Sequence, residues 1–174
     1  MLKNIVFAIL VIISYLVQTT YADALSMGNI VPNLVVIIVC MYGLLKGRRA
    51  GLIFGFCTGL FLDVFNGYGN VLGINALLYM YVGFINGFFN EIIYIKNFHV
   101  PVVAVAFSDL AISFVYYIIA FLVRNRLDFL FYLRYVIVPE LVYTIFVTLI
   151  SFKVILWINT KIDDYEYRRA TEVD

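Results

Sequence analysis

Residues 47–63 read GRRAGLIFGFCTGLFLD, and the fold turns on how that stretch is understood. Gly47, Gly51, Gly55 and Gly59 recur at every fourth residue, and Asp63 takes the next step. Four residues advance a helix by about 400°, so the glycines drift slowly along one side and leave a groove. A groove of that kind lets a second helix approach backbone to backbone, gaining dispersion contacts and weak carbon-hydrogen hydrogen bonds. Two occupants fit it: a neighbouring helix of the same bundle, or the membrane helix of a partner protein. The residues between the glycines are apolar, so the stretch is a spanning helix and not a phosphate-binding loop.

The chain around it has 174 residues, of which 64% are hydrophobic and 13% charged. Soluble domains carry about 25% charged residues, and a chain this apolar cannot cover its surface without them. It is therefore solvated by lipid. The net charge of +1 excludes the concentrated basic face of a nucleic-acid binder. Cys40 and Cys57 lie inside apolar runs and read as small hydrophobes, offering neither a disulfide framework nor a metal site. Lys3, the apolar run 5–17 and Ala22-Asp23-Ala24 imitate a secretory signal. The run continues towards spanning length, so it reads as a retained first helix.

Apolar runs broken by charges and turn residues predict an all-α integral membrane protein of about six helices, at 4–20, 33–45, 50–65, 72–89, 101–123 and 136–158. Residues 1–160 form one polytopic domain and 161–174 a short charged cytoplasmic tail. The second helix covers only about 20 Å at 1.5 Å per residue and is short for a span. Pro32, Pro101 and Pro139 fall at or near helix starts, where a missing amide hydrogen costs nothing. The uncharged segment 66–70 suits a tight connection. With the N-terminus cytoplasmic, Lys3, Lys46, Arg48, Arg49, Lys96, Lys161, Arg168 and Arg169 lie inside and Arg124, Arg126 and Arg134 outside. This asymmetry favours both termini in the cytoplasm.

Few polar groups remain within the spans. Asp63 reads as a cap on the adjoining turn or on a neighbouring helix start, or else as a contact for a partner. Glu140 follows Pro139 in the first turn of the sixth helix, where the helix dipole favours an anion, and Arg124, Arg126 or Arg134 could pair with either acid. Asp109 lies about 12 Å along the fifth helix and Lys153 about 9 Å from the end of the sixth. Their matched depths suggest an ion pair inside the bundle. The alternative has Lys153 snorkelling to the interface and Asp109 bonded to Ser108, Ser113 or another hydroxyl. The one histidine, His99, stands in a loop, so metal ligands and a histidine base are both lacking. Ser108 or Ser113 with Lys153 is all that a serine hydrolase could use. Catalysis and cofactors are not expected. The 14 tyrosines and 16 phenylalanines fit membrane interfaces and require no ligand.

The ordered set Pro32-Asn33-Leu34, Gly51, Gly55-Phe56, Gly59-Leu60, Asp63 and Leu72-Gly73 resembles the MreD family of bacterial rod shape-determining membrane proteins. The resemblance covers nearly the whole chain. It implies a non-enzymatic scaffold of the peptidoglycan elongation machinery in the plasma membrane, and a fold similar to the substrate-binding membrane subunits of energy-coupling-factor vitamin transporters. It also implies binding to a single-span MreC-like protein and, through it, links to MreB-like filaments and wall synthases. By the same resemblance Pro32, Asn33, Gly51, Gly55, Gly59, Asp63 and Gly73 mark packing and partner-helix positions. The other class is a small-molecule, vitamin-like binding subunit or transporter, with a cavity lined by groups such as Asn33, Asn75 and Asn86.

Overall fold

A computed structural model describes residues 2–20, 31–66, 73–90, 99–124 and 132–171. They form six α-helices: α1 Leu2–Thr20, α2 Leu34–Lys46, α3 Arg48–Asn66, α4 Ile74–Phe89, α5 His99–Arg124 and α6 Val138–Thr171. A π-helical turn, Leu133–Ile137, leads into α6. No strand occurs among the described residues. The segment Ala22-Asp23-Ala24, the turn at 67–70, Leu72, Lys96 and Arg126 lie outside them.

The six expected helices are present, and they differ in how well they match a membrane by length and composition. Three helices, α1, α5 and α6, are long and apolar enough to cross a membrane. The 13 residues of α2 and 16 of α4 reach about 20 and 24 Å at 1.5 Å per residue, against a hydrocarbon core of about 30 Å. Burial explains why α2 can be short. Its residues from Val35 to Leu44 are all buried, so it is enclosed by protein and need not match the lipid thickness. A helix apolar all round belongs at such a centre. The opposite case is α1, which buries Lys3, Phe7 and Val11 on one stripe and exposes Ile5, Ile9, Ile12, Ile13 and Leu16 to the lipid.

Rings fill the space between α1, α2 and α3. Tyr42 stacks on Phe54 with centroids 4.0 Å apart, and Phe7 meets Tyr42 edge-on at 5.0 Å. Further along, Tyr15 meets Phe61 at 5.4 Å. These contacts run α1 antiparallel to α2 and parallel to α3.

One end of the bundle gathers the start of α1 and the ends of α2, α4 and α6. Tyr42 donates to Asn4 Oδ1 at 3.0 Å, Asn90 donates to the carbonyl of Leu44, and Lys3 pairs with Asp163. The beginning of the chain and the tail therefore share a face. Cysteines placed at Lys3 and Asp163 are expected to cross-link on mild oxidation, whereas a pair at Lys3 and Tyr132 should not. Failure of the first pair in a folded protein would contradict this end-to-end arrangement. The charged segment from residue 161 continues α6, which runs unbroken to Thr171. The 34 residues of α6 give about 51 Å of helix, well beyond the bilayer core.

Candidate functional site: a glycine seam and a buried polar network

Gly47 joins α2 to α3 with no loop between them. Its φ of 84° is open to glycine and strained for other residues, so this member of the glycine series makes the turn, and its backbone also abuts α4, where a Cβ at Gly87 would lie 2.6 Å from the carbonyl carbon of Gly47. Gly51, Gly55 and Gly59 do line a groove, and α4 fills it. A Cβ at Gly51 would run into the carbonyl of Gly83, at Gly55 into that of Tyr79, and at Gly59 into that of Asn75. On the facing helix, Gly83 meets Gly51 in return, and a Cβ at Gly87 would lie 2.6 Å from Cα of Arg48. Gly43 on α2 closes the seam, with its Cβ position 2.7 Å from the carbonyl oxygen of Gly83. Of the two occupants that the groove admits, the one present is a helix of the same chain. The i, i+4 pair Gly83 and Gly87 was the sequence signal for the receiving side.

Asp63 stands at the far end of this seam and is 5% exposed. Its carboxylate accepts from the backbone amides of Gly73 at 3.0 Å, Asn75 at 3.1 Å and Ala76 at 3.0 Å, and from Nδ2 of Asn75 at 2.9 Å. A side chain of α3 thus caps α4, satisfying amides that the first helical turn leaves without partners. Charge-assisted bonds and the positive end of the α4 dipole hold the anion. Gly73, with φ of 103°, supplies the left-handed bend that aims its amide at the carboxylate.

Asn33 does the corresponding work for α2. Its Oδ1 accepts from the amide of Val36 and from the hydroxyl of Tyr79, both at 3.3 Å. Its own amide donates to Thr144 Oγ1 on α6 at 3.2 Å. Pro32 beside it is buried. Tyr116 of α5 donates to Asn75 Oδ1, and Asn86 Nδ2 donates to Ser108 Oγ at 2.9 Å and to the carbonyl of Val82 at 2.8 Å. Asn33, Asn75 and Asn86 are therefore cross-braces among helices. A crevice of about 200 Å³ lies elsewhere, between α1, α2 and α6, against mostly aliphatic side chains such as Leu10, Leu34, Ile38 and Ile155.

Asp109 and Lys153 do not form the expected pair. Asp109 is 1% exposed, and neither carboxyl oxygen has a hydrogen-bond partner. Lys153 is exposed, because it lies one residue beyond the inward stripe of Thr144, Thr148, Phe152 and Ile155. A helix turns by about 100° per residue, enough to carry its ammonium to the outside. What faces Asp109 is Thr144 and Asn33, together with Glu140 one turn away on α6. Ser113 donates to Glu140 Oε2 at 3.4 Å. The helical path already begins at the π turn, so Glu140 is not at a bare helix start, which weakens the dipole account of its position. Arg134 is exposed over the ring of Tyr135, 6.0 Å from its centroid. Among the described residues no group of three His, Cys, Asp or Glu side chains gathers.

The geometry is that of a helical membrane body whose polar side chains mostly fix helix to helix. A family model described as rod shape-determining protein MreD matches residues 1–162. No curated protein and no solved structure matches the chain, so the likeness to energy-coupling-factor subunits finds no support. Apolar helices, a lipid-exposed outer surface and a match over nearly the full length make this a multi-pass membrane protein of a shape-determining family. The chain belongs to the MreD family.

Proposed function

We propose that the protein is a non-enzymatic scaffold of the cell-wall elongation machinery, binding a single-span MreC-like protein and linking it to peptidoglycan synthases and, indirectly, to MreB-like filaments. The family match over residues 1–162 carries this reading. The bonding pattern supports it, because Asp63, Asn33, Asn75 and Asn86 are all engaged within the chain. In this reading Pro32, Asn33, Gly51, Gly55, Gly59, Asp63 and Gly73 act at one remove, by fixing α3 against α4. The partner helix then lies on the outward stripe of α3, at Ile53, Phe56, Leu60 and Val64, all exposed. The protein sits in the bacterial plasma membrane with both termini cytoplasmic, as the basic residues Lys46, Arg48 and Arg49 near the Lys3 end suggest.

A photo-crosslinking residue at Ile53, Leu60 or Val64 in a rod-shaped host is expected to capture the MreC-like protein, and depletion of the scaffold should turn rods into spheres. Rods that persist after complete depletion would sink the scaffold reading. Capture only from α1 or α5 would move the partner surface.

A further inference from the structure

Two pairs of oxygen-bearing side chains face one another across α5 and α6. Asp109 and Ser113 are four residues apart on α5, and Glu140 and Thr144 are four apart on α6, so each pair lies on a single face. The antiparallel approach sets Ser113 against Glu140 and Asp109 against Thr144. Asn33, at the start of α2, closes the third side. Inside this ring the side chain of Asp109 is 1% exposed, and its two buried oxygens meet no donor in hydrogen-bonding geometry, with the side chains of Thr144 and Asn33 near enough to interact. A buried acid in a membrane body is costly and ordinarily has a counter-charge. Lys153 and Arg134, the bases nearest in sequence to Glu140 and its helix, are both exposed.

We propose that this ring is a binding site for one divalent hard cation of the calcium class. Charge selects the valence, since two carboxylates are neutralised by two positive charges. Chemistry selects the class, since every donor is oxygen. A zinc-type ion wants nitrogen or sulfur ligands and commonly three or four of them from the protein, and no third His, Cys, Asp or Glu joins the two acids among the described residues. Two carboxylates offer up to four oxygens and the hydroxyls of Ser113 and Thr144 two more, which reaches the lower end of the six to eight that calcium takes. Magnesium holds its waters and demands octahedral geometry, so a ring of side-chain oxygens suits it less well. A lysine or arginine from another protein cannot reach Asp109 through its burial. Glu140, half-buried in the first turn of α6 beside the π turn, is the more accessible of the two acids. Pro139 offers no amide hydrogen to the carbonyls of that turn, and π turns often accompany functional sites.

The test uses the full chain in lipid nanodiscs, stripped with chelator, at fixed pH and ionic strength. Radioactive calcium should bind saturably at one ion per chain, and calcium at about 100 times its Kd should raise Tm by roughly 5 °C. Magnesium should act more weakly and sodium not at all. Asp109→Asn is expected to abolish binding, while Asp163→Asn, which alters an exposed carboxylate, should keep it. If Asp109→Asn does not fold, Ser113→Ala supplies the decision, with an expected loss of about 10-fold in affinity. Absence of saturable calcium binding overturns the proposal. So does stabilisation by sodium alone, or a stability that answers to pH and to no metal ion, which would make a proton the occupant.

Discussion

Gly55→Leu is expected to force α3 away from α4 and to cost about 3 kcal/mol or more, the upper range for overfilling a packed interior. The reason lies in what the new side chain would strike. At most crowded core positions a neighbouring side chain can swing aside, but the first atom that leucine adds at Gly55 meets the backbone carbonyl of Tyr79, with the carbonyl carbon 2.8 Å away. Backbone within a helix cannot step back alone. The helix must move as a body, and it would carry with it the contacts of Gly51 with Gly83 and of Gly59 with Asn75. Thermal unfolding of purified protein in mild detergent, with Phe56→Leu as the lipid-facing control, reads the difference. Phe56 is 44% exposed, so its replacement should leave Tm nearly unchanged. Equal stability of the two variants would contradict the seam. The variant also bears on partner binding, since loss of the partner with Gly55→Leu would follow from the collapse of α3 on α4 and would not locate a contact.

Asp63→Ala should be nearly as damaging, at about 3 kcal/mol. An ordinary helix cap is worth about 1 kcal/mol, but this carboxylate serves three amides and a side-chain amide together. Its removal leaves several donors buried without acceptors, at about 1 to 3 kcal/mol for each that water cannot reach. Asp63→Asn should retain roughly half of the effect, because one carbonyl oxygen survives while the new NH2 group faces other donors. Equilibrium unfolding by a denaturing detergent gives the stabilities, and hydrogen exchange at Asn75 and Ala76 gives the location. The amides of those two residues should exchange faster in Asp63→Ala than in the wild type. A variant within 1 kcal/mol of wild type would mean that the cap is dispensable.

Much of this was legible in the residues, for a physical reason. Glycine at every fourth position has one strong consequence in a helix, a face without side chains, and Gly51, Gly55 and Gly59 have that face. Which helix would use it was not legible, because the groove is equally open to any helix of the right depth. Asp63 could be read as a cap for a neighbouring helix because a carboxylate beside a turn has few other partners in lipid. Depth along a helix was likewise predictable, but facing was not. Asp109 and Lys153 match in depth, yet one residue of helical phase between Phe152 and Lys153 separates the interior from the outside. The number of helices was legible and their lengths in the membrane were not, for a related reason. Apolar length tells how a helix would sit in lipid, and α2 has protein around it instead.

The enclosure of α2 also sets an order for making the protein. A 13-residue helix too short for the bilayer has little hold on the membrane as a separate inserted segment. It is held by what surrounds it, and α3, α4, α5 and α6 all emerge from the ribosome only afterwards. Biogenesis must therefore keep the early helices sheltered until α4 has closed on α3. A chain stalled before α4 would present an apolar stub without its sheath, and that stub is the form in which membrane quality control would meet this protein.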